Sequence, residues 1–218
     1  MIDFNETFEE LHGRIALSCA DGMDARSLIF AADNAARMRA AAVSCDPDSV
    51  NMLWTWLEKS KIKIFARVTA SDNDTEVQKI AAAIDNAFKK GAAGVQLIAT
   101  PTMHEKLAAA LSPIAADLFF GRELILTFDL DNVAPDDWSR IFHSLKIMGA
   151  AGLGLLVSKS DYTAGAIYGM LDHPDSEFCG ILHIISKDCD PGVIEDSWRL
   201  TKKIRPELIP GIVFFLDQ

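Results

Sequence analysis

Basic side chains are scarce in this sequence: 21 Lys and Arg stand against 31 Asp and Glu, a formal charge of −10. Nucleic acid selects clustered Lys and Arg, so this balance argues against it as a partner. Long apolar runs are missing too. None reaches the ~18 residues that a membrane span needs, and residues 1–14 are acidic and amphipathic, unlike a signal peptide. The cysteines Cys19, Cys45, Cys179 and Cys189 form no CxxC pair, which suits a reduced, cytoplasmic protein. Glycine and proline, 13 and 8 of 218 residues, are too few for a collagenous or low-complexity chain, and half the residues are hydrophobic. One sizeable core is expected, since α/β barrels commonly use ~200–250 residues as a single domain.

What is present is an alternation. Near-continuous apolar runs at 15–20, 42–45, 62–69, 95–100, 124–130, 153–158, 181–186 and 212–216 read as parallel strands buried on both faces. Between them lie helical stripes: Val50, Leu53, Trp54 and Leu57; Val77, Ile80, Ala81 and Ile84; Trp138, Ile141, Phe142 and Leu145. Gly91 and Gly94, and Gly149 and Gly152, stand where a helix cap and a tight turn into the next strand need them. Asp48-Ser49, Asp74-Thr75, Pro135-Asp136-Asp137 and Asp190-Pro191 mark helix starts. Eight evenly spaced strands predict a (β/α)8 TIM barrel in one domain spanning residues 1–218. The chain stops after the eighth strand, so the last outer helix is expected to be lacking. Residues 1–13 read as a helical extension whose Phe4, Phe8 and Leu11 cover that flank or the barrel bottom.

Barrel chemistry sits at the C-terminal ends of the strands and in the loops that follow. Those positions hold Asp21 and Asp24, Asp46 and Asp48, Arg67, Gln96 and Thr100, Asp129 and Asp131, Lys159, Lys187 and Asp188, and Asp217. Asp is a favoured N-cap, which accounts for Asp46, Asp48, Asp136 and Asp190. The alternative is that Asp21, Asp46 and Asp217, on neighbouring strands of a closed barrel, hold a Mg-type ion; otherwise no cofactor is expected.

The lysines carry a sharper expectation. Val157-Ser158-Lys159 and Ile185-Ser186-Lys187 put a lysine at matching points of adjacent strands, ~5 Å apart in backbone spacing. A neighbouring ammonium disfavours protonation, making Lys159 the nucleophilic amine and Lys187 its pKa-lowering neighbour. Asp129 would then shuttle protons. In the opposing reading both lysines reach solvent and pair with Asp161 or Asp188. Arg67, in an apolar strand, needs a partner: a substrate carboxylate, Asp46 or Gln96. Gln96 and the mid-strand His183 complete the substrate-binding candidates, with a hydrogen-bonded core histidine as the other reading. His12, His104, His143 and His173 read as surface, and Cys19 and Cys45 as small buried hydrophobes.

The strand order and the strand-six lysine resemble the aldolase-type TIM barrels, the superfamily of class I aldolases and type I 3-dehydroquinate dehydratase. In deoxyribose-phosphate aldolases a Schiff-base lysine on strand six is flanked by a second on strand seven, so the resemblance implies those roles for Lys159 and Lys187. Ile64-Phe65-Ala66-Arg67 is similar to the dehydratases' third strand, which ends in a substrate-binding arginine, and residues 135–152 to their fifth helix. The chain departs from these families where Val157-Ser158-Lys159-Ser160-Asp161 lacks a Thr/Gly-rich continuation. It also departs where Thr127-Phe128-Asp129-Leu130-Asp131 replaces the dehydratase histidine, and where Gly154 falls near the dehydratase lysine. Loop seven, Asp188-Cys189-Asp190-Pro191-Gly192, is acidic and suits a neutral, cationic or monocarboxylate substrate better than a phosphate.

Together these readings predict a lyase or aldolase-type enzyme that takes a small carbonyl compound through a lysine Schiff base. The alternatives are a barrel without catalysis that serves binding or assembly, and a Mg-dependent enzyme built on the acidic rim. Met52 and Trp56, off the core stripe of the second helix, offer a homodimer contact.

Overall fold

The computed structural model of the chain describes residues 10–70, 77–160, 162–188 and 190–217. Strands and helices alternate: β1 (Ile15–Ser18), α1 (Ala25–Met38), β2 (Ala42–Cys45), α2 (Val50–Leu57), β3 (Lys63–Thr69), α3 (Val77–Lys89), β4 (Gly94–Ile98) and α4 (Pro101–Leu118). Then follow β5 (Glu123–Asp129), α5 (Trp138–Met148), β6 (Gly152–Val157), α6 (Thr163–Asp172), β7 (Ile181–Ser186), α7 (Pro191–Ile204) and β8 (Ile212–Asp217). Every strand pairs in parallel with the next, and β8 closes on β1. This is the (β/α)8 barrel that the sequence predicts, and no helix follows β8 among the described residues.

The helices form where the apolar stripes fall. All of Trp138, Ile141, Phe142 and Leu145 are buried on α5. On α2, Val50, Leu53 and Leu57 are buried, whereas Trp54, the fourth member of the expected stripe, is 43% exposed. Helix α5 ends at Gly149, whose φ of 59° lets its N–H reach the carbonyls of Leu145 and Lys146. Three residues later Gly152 opens β6 where a Cβ would strike the Ile181 carbonyl of β7, so the close strand approach requires glycine there.

Two cores result. The larger lies between strands and helices; the smaller fills the barrel with Ala16, Ala42, Phe65, Ile125, Ile185 and Phe215, the small residues of β1 and β2 leaving room for the two rings. Below this layer the Lys63 ammonium and the Glu123 carboxylate pair at 2.5 Å. Residues 1–9, including Phe4 and Phe8 of the expected covering helix, and the Asp74-Thr75 cap lie outside the described residues. Next to them Leu11 is buried, and Glu10 accepts hydrogen bonds from Trp198 Nε1 at 2.8 Å and Lys202 Nζ at 2.9 Å on α7. Among the described residues no helix is long and apolar enough to cross a membrane.

Candidate active site

Alternate residues of each strand face the barrel interior, and that parity decides which side chains reach its mouth. On β7 the inward set runs through His183 and Ile185 to Lys187, which follows the strand. On β6 it runs through Gly154 to Leu156. A cavity of about 360 Å³ opens at the C-terminal end of the barrel, lined by Ser18, Cys19, Ala20, Asp21, Arg67, Ile98, Leu156, Ile185 and Lys187.

Lys187 is the lysine in that cavity. Its Nζ donates to Asp129 Oδ1 at 2.6 Å, at the end of β5, and lies 3.4 Å from Asp131 Oδ2. Burial works against the Lys187 charge, but the bond to Asp129 and the charges of Asp129 and Asp131 outweigh it, holding the ammonium above its ordinary pKa.

Lys159 is not its neighbour, and this corrects the sequence expectation. Val157 stands opposite Ser186, so the same register sets Lys159 opposite Asp188 and leaves Ser158 opposite Lys187. Lys159 lies an odd number of residues beyond inward-facing Leu156. Its side chain is 69% exposed and its Nζ pairs with Asp190 Oδ2 at 3.0 Å. The two lysines therefore hold different carboxylates, and Lys187 is raised rather than lowered.

Arg67 enters the mouth from β3, its side chain only 12% exposed. One terminal nitrogen donates to Ser18 Oγ at 2.6 Å and Ser44 Oγ at 3.3 Å; the other donates to the Cys19 carbonyl and to Asp21 Oδ1 at 2.7 Å. Its ionic partner is thus Asp21 rather than Asp46, and Gln96 is not among its bonds. Sequence reasoning missed Ser18 and Ser44, although both sit on the inward parity of their strands. Gln96 and His183, the other substrate-binding candidates, lie deeper. Both are fully buried, Gln96 Nε2 meets His183 Nδ1 at 3.1 Å, and neither lines the cavity. Burial, helped by the Lys63 charge, pushes the His183 pKa down to about 3, so the ring is neutral. Its ring packs against Phe65 at a near-perpendicular 88° and Phe215 at 51°, each with its ring centre 4.8 Å away.

The acidic rim is already spoken for in part. Asp46 Oδ1 accepts from the N–H groups of Asp48 and Ser49, both at 2.9 Å, and Oδ2 from Ser49 Oγ at 2.7 Å. Burial raises its pKa, but these bonds prevail and hold it below the usual carboxylate range. Asp46 thus ties the turn that leads into α2, whose N-cap is Ser49, and Asp21 serves Arg67; the Asp217 side chain lies outside the described residues. Among the described residues no three His, Cys, Asp or Glu side chains cluster as metal ligands would. Burial pushes the Cys19 thiol up to about 11 and raises Cys45 as well, so neither is a ready thiolate. His104 is not a surface residue: it is fully buried under α4, its Nε2 at 3.2 Å from the Thr127 carbonyl and its ring against Phe128. Desolvation lowers its pKa to about 4.

Compared with protein-family models and with curated proteins, the sequence matches none. Solved structures do resemble it. A structure assigned to deoxyribose-phosphate aldolase from Toxoplasma gondii ME49 has a TM-score of 0.76 at 16% identity, covering 100% of this chain and 93% of that one. Deoxyribose phosphate aldolase from Aeropyrum pernix, described as tetrameric, has a TM-score of 0.70 at 10% identity over 98% and 92% of the two chains. What these likenesses show is the fold, a (β/α)8 barrel like that of the aldolase structures. A structure assigned to the dihydrodipicolinate synthase family of Coccidioides immitis resembles the chain more loosely, with a TM-score of 0.59 at 12% identity over 89% and 68%. At these identities the likeness speaks for the barrel fold alone; the chemistry has to be argued from Lys187 and its surroundings.

Proposed function

We propose that this protein is an aldolase-type lyase that binds a small carbonyl compound through a Schiff base on Lys187. The observation that carries this reading is the Lys187 ammonium inside the cavity with Asp129 Oδ1 at 2.6 Å. Lys159, the amine expected from the sequence, serves instead as the partner of Asp190. Asp129 takes a proton from Lys187, and the freed amine adds to the substrate carbonyl carbon. Asp129 then returns a proton to the carbinolamine oxygen, which leaves as water. In sum an ammonium and a carbonyl become an iminium and one water. The iminium keeps the positive charge that Asp129 and Asp131 already balance, and it draws electrons from a neighbouring C–C or C–H bond. Arg67 orients a substrate oxygen, with the exposed Asp21 carboxylate giving way. The described cysteines are free and buried, which supports a reducing compartment, the cytoplasm.

Borohydride trapping with a panel of aldehydes and keto acids tests this. The expected result is a reduced adduct whose mass maps to Lys187, lost in Lys187→Met and kept within about twofold in Lys159→Met. An adduct on Lys159, or none with any carbonyl, overturns the assignment; the second result favours a barrel that only binds.

We also propose a homodimer. Phe30 on α1 and Trp56 on α2 are 64% and 58% exposed and border one groove of about 420 Å³ with Arg26 and Asp33. Met52, the other expected contact, packs against the core instead. Arg26 and Asp33 flank Phe30 along α1, so a twofold axis near Phe30 sets each copy's Arg26 beside the other's Asp33.

A further inference from the structure

We infer that this barrel takes a carbonyl compound without a phosphate group, and that Asp190 is the residue that sets this specificity. The inference rests on the Schiff-base reading for the word carbonyl, but its charge argument stands on separate residues. A barrel commonly holds a phosphate beyond strands seven and eight, where the free N–H groups of a helix start point at the anion. Among the described residues no helix follows β8, so the helix start available beyond these strands is that of α7, and its N-terminus is filled from within the chain. Asp190 Oδ1 accepts from Gly192 N at 2.7 Å, while Oδ2 holds Lys159 Nζ at 3.0 Å. An internal carboxylate thus occupies both the backbone donor and the cation that a phosphate would use. Ser186 Oγ accepts from the Asp190 N–H at 3.2 Å and fixes the loop in this arrangement.

The two cations that line the cavity itself, Arg67 and Lys187, are also held by carboxylates. Arg67 is held by Asp21 at 2.7 Å, and Lys187 by Asp129 at 2.6 Å with Asp131 beside it. With Asp188 and Asp46 added, aspartates outnumber the cations around the opening. A phosphate dianion would have to displace a carboxylate from its partner and then sit among the rest. An uncharged aldehyde or ketone brings no negative charge of its own into this acidic setting, so Asp129 and Asp131 do not repel it as it reaches Lys187.

The test uses inorganic phosphate as the probe, by titration calorimetry and thermal shift, on the wild-type chain and on Asp190→Gly. Glycine is tolerated at an N-cap and leaves both Gly192 N–H and Lys159 free. Wild-type protein is expected to show no saturable phosphate binding, and Asp190→Gly to gain at least tenfold in affinity together with stabilisation by phosphate. Asp190→Asn, which keeps a capping oxygen while removing the charge, guards against misfolding of the glycine variant and is expected to show a smaller gain. In parallel, borohydride trapping compares glyceraldehyde with glyceraldehyde 3-phosphate, and wild type should favour the former. Saturable phosphate binding by wild type, preference for the phosphorylated aldehyde, or no gain in either variant overturns the inference. If neither aldehyde is trapped, the Schiff-base reading fails while the phosphate titrations still decide the role of Asp190.

Discussion

Lys187 sits between opposed influences. Partial burial disfavours its charge, and the carboxylates of Asp129 and Asp131 restore and exceed it, so the resting group is an ammonium. In the proposed reaction such an ammonium needs a base at contact distance, and Asp129 Oδ1 is the oxygen that stands there. Replacing Asp129 with Asn keeps an oxygen that can accept from Lys187 but removes both the negative charge and the base, with opposite consequences for the amine. The Lys187 pKa should fall, moving the pH profile of adduct formation downward. At neutral pH the rate should nevertheless drop by ~10²–10⁴-fold, the range for a lost general base. Rates of borohydride-trapped adduct from pH 6 to 11 check both. A slower variant with an unmoved profile would reduce Asp129 to a packing role.

At the scale of the elements, a strand and a helix each carry a buried histidine that leaves a signature in acid. His183 inside the barrel has its pKa lowered to about 3, and His104, between α4 and the sheet, to about 4. Unfolded histidine titrates near ~6.5. Between about pH 6.5 and pH 4 the unfolded chain therefore binds more protons than the folded one. Stability should fall with falling pH over that window by ~1.4 kcal/mol per pH unit for each histidine. His104→Gln, whose amide can still donate to the Thr127 carbonyl, should lessen that slope by about half in urea unfolding across the window. An unchanged slope would mean that His104 is not the group titrating. The strands themselves were legible to within two residues at each end, because a parallel strand buried on both faces is one continuous apolar run. The site was legible only in part. Val157-Ser158-Lys159 and Ile185-Ser186-Lys187 look alike locally, yet the stagger between β6 and β7 offsets them by one residue, and one residue turns a side chain to the other face. Counting in twos from Leu156 and Ile185 would have separated the lysines. Asp190 was read as a helix cap, which it is; that it also holds Lys159 depends on a contact between two loops that no local pattern encodes.

The whole molecule carries a charge of −10, so two copies repel unless their interface compensates. The exposed aromatic groove on α1 and α2 offers both a driving force and that compensation. Burying Phe30 and Trp56 contributes roughly 1.5–3 kcal/mol for each large side chain removed from water. A twofold repeat of Arg26 against Asp33 adds reciprocal ion pairs at the edge, although Asp33 already holds Arg37 on its own helix at 2.7 Å. Phe30→Asp should convert a dimer to a monomer in sedimentation at micromolar concentration. The exposed side chain should cost the folded monomer only about 0.5 kcal/mol or less. Charge swapping then separates this face from any other. Arg26→Asp alone sets like charges together and should weaken association at least tenfold, and Asp33→Arg added to it should restore what was lost. A wild-type monomer, or a dimer indifferent to Phe30→Asp, would remove α1 and α2 as the interface. Weakening by Arg26→Asp that the second exchange fails to recover would leave the groove as the contact but move the symmetry axis away from Phe30.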